Sequence, residues 1–262
     1  VERGWKLVKV TAGNVDDDAE AEHVVITQRV DSEESPEETT RVRIFEYGHD
    51  TNAWEPTEIE GEFDLFWSGT EATFTDVDND GHSEVVIAAR TCGGNDATAC
   101  LGMIILAKRE RYYRQLFNSS NGAPSLEDLD GDNVKEVVIH GEYWGPLSHA
   151  DVIFHPTDVF KYDGQTYRRA PNAQFPAYFD AKLKEAIIEY ERAKSSVESR
   201  AIPEQDTDSL FRPLMVMLIG FKTKGDLPGL QQRFLSEREF LKAKLPKSQL
   251  KAVDEFISTE RH

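Results

Sequence analysis

The chain has 262 residues, with 30 Lys+Arg against 48 Asp+Glu, a formal charge of −18 and a sequence pI near 4.8. An apolar fraction of 39% with 14 Phe, 8 Tyr and 4 Trp argues for a folded core rather than an acidic disordered chain. The charge argues against a nucleic-acid backbone or an anionic membrane as a general partner. The longest apolar run, Leu214 to Phe221, falls far short of the ~20 residues that span a bilayer, so no transmembrane segment is expected. The acidity is also uneven. Residues 1–176 hold 15 Lys+Arg and 34 Asp+Glu, a net −19, whereas residues 177–262 hold 15 and 14, a net +1. The shift coincides with a change of periodicity, which predicts a β domain over 1–176 and an α-helical domain over 177–262.

The first element in chain order is an acidic loop, GNVDDDAEAEHVVI, with oxygen-bearing residues Asn14, Asp16, Asp18 and Glu22 at positions 1, 3, 5 and 9. Its pattern returns without gaps in TDVDNDGHSEVVI, at Asp76, Asp78, Asp80 and Glu84, and in EDLDGDNVKEVVI, at Asp128, Asp130, Asp132 and Glu136. Oxygen ligands at alternate positions of a short loop suit a large hard cation, which takes side chains from 1, 3 and 5 and a returning carboxylate. An EF-hand would need a bidentate Glu at position 12, where this chain has Val25, Ile87 and Ile139. The trailing HVVI and EVVI are β-branched strand sequences, so each loop joins strand to strand.

Between the loops lie hairpin-like pieces, VRIFEYGHDTNAW, MIILAKRERYYRQLF and VFKYDGQTYR, the last with a turn at Asp163-Gly164. The acidic run Asp31 to Glu38 reads as a solvated loop. Cys92 and Cys100, the only two cysteines, share one Gly/Asn/Asp loop. They read as a disulfide pinning that loop, with free thiols as the alternative; metal ligation needs more soft donors. After the third loop, HGEYWGPLSHADVIFHP carries His140, Glu142, His149, Asp151 and His155 in spacings that match no common zinc motif. Tyr143 and Trp144 in the same stretch are candidates for a recognition surface, with packing against a neighbouring sheet as the alternative.

The three loops with their VVI strands resemble the FG-GAP/VCBS family, the calcium-binding blade repeats of integrin-alpha-type β-propellers, over roughly residues 4–170. The resemblance implies a mainly β fold with α: three propeller-blade-like antiparallel β repeats, an incomplete or open propeller, followed by the helical domain. It implies two to three bound Ca2+ ions, held by the twelve side chains named above together with backbone carbonyls at Glu20, His82 and Val134. Affinity is expected to run second ≥ third > first. The second and third loops carry four acids, whereas the first has neutral Asn14, and Ala19 where the others have Gly81 and Asn133.

Beyond Pro176, apolar residues recur at helical spacing from Ala177 to Arg200 (Phe179, Leu183, Ile187, Tyr190, Val197). A second helix, opened by Asp206 or Asp208, contains the all-apolar Leu214 to Phe221. Gly225 to Gly229 reads as a turn, Ser236 and Glu239 as a capping box, and Leu250 to Ile257 as a last amphipathic helix. The helices read as a cap on the β repeats, with a partner-binding groove as the alternative.

No GxSxG, HExxH, Walker A or GxGxxG motif is present, so no enzyme is expected. The leading function is a non-catalytic, calcium-binding interaction or scaffold protein with a protein or glycan ligand and no nucleic acid. Calcium loops and a two-cysteine loop suggest a secreted or periplasmic location, with a signal peptide removed before Val1. The alternatives are a secreted hydrolase using the His140–His155 insertion, or an inhibitor or immunity-type protein acting through its acidic face.

Overall fold

The computed structural model describes residues 3–29, 40–60, 68–90, 101–119, 122, 124–140, 157–198 and 208–258. Cys92 and Cys100, Tyr143 and Trp144, the insertion residues Glu142, His149, Asp151 and His155, and the Asp31 to Glu38 run lie outside the described residues. The chain forms two compact units, one of residues 1–139 with 160–169, the other of 140–159 with 170–262.

In the first unit, strands β1 (Trp5–Gly13), β2 (Glu22–Arg29), β3 (Thr40–Gly48) and β4 (Ala53–Ile59) form one antiparallel meander. Strands β5 (Ser68–Thr75), β6 (Glu84–Arg90), β7 (Leu101–Arg109) and β8 (Tyr112–Ser119) form another. The two do not stand apart as blades. β4 pairs in parallel with β8 at Glu58↔Tyr112 and Ile59↔Tyr113, and the Glu60 amide donates to the Tyr113 carbonyl at 2.7 Å. One eight-stranded mixed sheet results, in the order β1-β2-β3-β4-β8-β7-β6-β5.

Its two outer strands approach each other and nearly close a barrel. Lys9 on β1 meets Glu71 on β5 at 3.6 Å, and Gly13 lies so close to the Phe74 ring that a Cβ there would collide with it. The third repeat enters a separate four-stranded sheet, β12-β11-β10-β9, built from β9 (Pro124–Glu127), β10 (Glu136–Ile139), β11 (Asp158–Tyr162) and β12 (Tyr167–Ala170).

The expected three-blade open propeller is therefore incorrect: the architecture is a nearly closed eight-stranded mixed sheet, a second four-stranded sheet and C-terminal helices. The physical reason is edge pairing. A lone four-stranded meander leaves two rows of unpaired backbone groups exposed, and joining two meanders satisfies part of them.

Side-chain alternation fills the sheet. Val24, Ile26, Ile44, Ala72, Val85, Ile87, Ala89, Ile104, Leu106 and Tyr113 form one buried cluster. Their strand neighbours Val86, Met103, Ile105 and Ala107 point the other way, into a second cluster with Val137 and Tyr167 of the four-stranded sheet. Strands covered on both faces need continuous apolar runs, which is why EVVIAA and GMIILA do not alternate.

The second unit holds helices α1 (Pro176–Glu198), α2 (Asp208–Lys224), α3 (Leu227–Lys244) and α4 (Lys247–Ser258) around one core. On α2, Leu210, Phe211, Leu214, Met215, Met217 and Leu218 are all fully buried. Inside the bundle, Tyr190 and Lys194 of α1 meet the buried Glu237 of α3 at 3.2 and 2.8 Å. The Ser236/Glu239 capping box is not a helix start. α3 begins nine residues earlier, where the Asp226 carboxylate accepts the Gly229 amide at 2.9 Å, and Ser236 bonds the Arg233 carbonyl within the helix. An Asp ahead of Leu-Pro-Gly is the stronger opening, because proline at the first turn loses no hydrogen bond.

Candidate metal centres

Each acidic loop sits between two antiparallel strands: β1 and β2, β5 and β6, β9 and β10. The loops are neighbours. His82 of the second lies 4.0 Å from Asp17 of the first, and the Lys135 amide of the third donates to the Val77 carbonyl of the second at 2.8 Å.

The glutamate at position 9 opens the returning strand and is buried in all three, with Glu22 and Glu84 3% exposed and Glu136 0%. One oxygen of each is fixed by a backbone amide two residues into its loop. Val15 donates to Glu22 and Val77 to Glu84 at 3.0 Å, and Leu129 donates to Glu136 at 2.9 Å. The other oxygen is left for the loop interior. Carboxylates gather around it: Asp16, Asp18 and Glu22; Asp76, Asp78 and Glu84; Asp128, Asp130 and Glu136 each bring three oxygens within 4.8 Å of one another. Ligands about 2.4 Å from a common ion stand at most about 4.8 Å apart, so each group could hold a metal ion.

Asp80 and Asp132, at position 5, are not in these tight groups. Their carboxylates instead accept the amides of His82 and Val134, both at 2.8 Å, as Asp18 accepts that of Glu20 at 2.9 Å. The position-7 peptides, whose carbonyls are the expected backbone ligands, are thus held in the same way in all three loops.

The second and third loops share one backbone. The first aspartate accepts two amides, those of Asn79 and Gly81 on Asp76 and those of Gly131 and Asn133 on Asp128, at 2.7–3.1 Å. Positions 4 and 6 are both left-handed, filled by Asn79 (φ 59) and Gly81 (φ 94) in one and by Gly131 (φ 81) and Asn133 (φ 66) in the other. The first loop differs. Asn14 has one acceptor oxygen where an aspartate has two, and its amide nitrogen donates to the Asp18 carbonyl at 2.7 Å. Neither Asp17 nor Ala19 adopts positive φ, so Ala19 is not in the left-handed conformation that Gly81 and Asn133 take at the same position; the loop takes another path.

The electrostatics divide the loops further. Burial, with the Asp76, Asp78 and Asp80 charges added, pushes the Glu84 carboxyl up to about 7, and burial likewise raises Asp78. Among the described residues no Lys or Arg forms an ion pair with Asp76, Asp78, Asp80 or Glu84; the Tyr162 hydroxyl stands near Asp78. In the third loop, Lys161 of β11 reaches in. Its Nζ contacts Asp130 and lies 3.1 Å from Asp132 and 3.6 Å from Glu136. In the first, Lys108 of β7 contacts Glu46 and stands 3.5 Å from Asp16. Burial raises Glu22 and Glu136 too, but the adjacent lysine opposes the rise in each.

Lys108, Lys161 and Tyr162 were not among the expected site residues. The pieces that carry them were legible only as hairpins, since nothing local marks which side of a strand will meet a distant loop. His140, from the proposed catalytic insertion, borders a pocket of about 220 Å³ in the helical unit, with Tyr178, Lys182 and Glu189.

A second surface feature lies on the face of β1–β4 opposite the core. Trp5, Val10, His23, Val25, Phe45 and Trp54, with Arg41 and Arg43, line an open groove of about 380 Å³. Trp54 is 45% exposed there, and the Arg41 guanidinium stacks 4.0 Å above Trp5.

No helix among the described residues is long and apolar enough to cross a membrane. Comparison with known proteins finds no matching family model, no matching curated protein and no matching solved structure.

Proposed function

We propose that the chain is a non-catalytic, calcium-binding interaction module of an extracytoplasmic compartment. The observation that carries the reading is the threefold recurrence of one donor set: a buried glutamate with one oxygen tied to the backbone, facing two or more aspartates of a nine-residue loop. The donors in these groups are all carboxylate oxygens, which favour a hard cation over zinc or copper. A loop that wraps its ion from alternate positions suits calcium's large and flexible shell better than magnesium's strict octahedron. The resemblance of the loops to FG-GAP/VCBS repeats points the same way, and millimolar calcium outside the cytosol would keep such sites filled.

Bound ions would cancel the mutual repulsion of the carboxylates and fix three adjacent loops of one unit. The exposed aromatic groove of Trp5, Phe45 and Trp54 supports a recognition role for that unit toward a protein or glycan partner.

The test is thermal unfolding with calcium or with EDTA. At millimolar free calcium and a dissociation constant on the order of 10 μM, each ion adds about 2.7 kcal/mol, which raises the melting temperature by several degrees. Asp78→Asn should remove much of the rise. A melting curve indifferent to both calcium and EDTA would contradict the reading.

A further inference from the structure

The second and third loops match in backbone, in buried glutamate and in the amides that hold each carboxylate. They differ in the cation that reaches in. The Lys161 ammonium touches Asp130 and Asp132 and approaches the Glu136 Oε1, a fully buried oxygen with no hydrogen-bond donor of its own. The lysine side chain is 32% exposed, so its stem is largely covered while its charge enters the acidic group.

We infer that Lys161 is a built-in counter-cation which occupies the third loop in place of a divalent ion, leaving the second loop as the tight ion site of the chain. The inference rests on the proposed reading of the loops as calcium sites and states which of them takes calcium. The reasoning is electrostatic. A tethered ammonium neutralises one of the charges that would draw an ion and pays no entropy of association, because β11 already holds it in place. A calcium ion entering the third loop must first break three ion pairs and expel that ammonium. One entering the second loop displaces no ammonium and meets three carboxylate oxygens already within 4.8 Å of one another. Lys108 works in the same sense at the first loop, though it shares its charge with Glu46. The expected affinity order, second ≥ third > first, thus becomes second well above third.

The test is calcium titration by calorimetry and equilibrium dialysis on the intact chain and on Lys161→Met, which keeps the stem and removes the charge. The intact chain should bind one ion tightly. Lys161→Met should gain a second tight ion, with third-loop affinity up on the order of tenfold or more. It should also melt lower than the intact chain in EDTA and recover more on adding calcium. Two or three equal tight ions in the intact chain, with Lys161→Met unchanged, would overturn the inference and leave the calcium reading standing. No ion bound by either protein would overturn the calcium reading itself. Should Lys161→Met not fold, Lys161→Gln serves the same comparison, and one tight ion against three in the intact chain still decides.

Discussion

The second and third acidic loops are near copies that the rest of the fold treats differently. In both, an aspartate at position 1 accepts two amides and a pair of left-handed residues, Asn and Gly in opposite order, bends the chain around it. Nine consecutive residues are enough to set that backbone. The charge inside it is set elsewhere, by a lysine 31 residues from Asp130 in sequence in one case and by no lysine or arginine among the described residues in the other. Two sites with the same ligands can therefore be, respectively, satisfied and frustrated in the absence of metal.

The largest test of that contrast is truncation of the two buried glutamates in EDTA. Glu136→Ala removes the most distant of the three carboxylates around Lys161 and leaves the Leu129 amide without its acceptor, and should cost about 2 kcal/mol in urea unfolding. Glu84→Ala loses one amide bond but relieves repulsion from three aspartates, so its cost should be nearer 1 kcal/mol. Equal costs would mean that Lys161 does not distinguish the loops. The aspartates should follow in smaller measure. Asp130→Asn should destabilise the metal-free protein by about 1 kcal/mol, whereas Asp78→Asn, which removes a like charge, should leave it unchanged or slightly more stable.

Proton binding sharpens the same contrast. Glu84 ionises near 4.5 in the unfolded chain and near 7 in the folded metal-free protein. Between those values the folded state holds the extra proton, so this residue's contribution to stability falls as pH rises from about 4.5 to about 7. Comparing the melting of the intact chain with Glu84→Gln in EDTA across that window isolates the effect. Calcium needs the ionised carboxylate, so second-loop affinity should weaken as pH drops below about 7. An affinity constant from pH 8 to pH 5 would contradict the placement of Glu84.

The smallest effects concern backbone. Gly81→Ala and Gly131→Ala should each cost about 1 kcal/mol, because both glycines are left-handed. Ala19→Gly in the first loop should stabilise nothing, since Ala19 is not left-handed.

Much of the site was legible in sequence because its information is local. Alternating Asp residues, a returning Glu and the VVI strands identify three loops between strands, and three acidic groups able to hold a metal ion stand there. What was not legible is what depends on distant partners. The parallel pairing of β4 with β8, which merges two repeats into one sheet, rests on Glu58, Ile59 and Glu60 with their partners, and no turn signal marks it. Lys161 and Lys108 look like ordinary strand lysines until the sheets place them. The first loop shows a subtler failure. Asn14 reads as a weaker ligand, but its larger effect is to remove an acceptor and redirect the whole loop.

The most direct measurement is a crystal structure of the intact chain grown in millimolar calcium, with the ion located by its anomalous scattering. Calcium is expected in the second loop, with Asp76, Asp78 and Glu84 oxygens at about 2.4 Å and Lys161 still seated between Asp130 and Asp132. A second loop without calcium under those conditions would contradict the central claim.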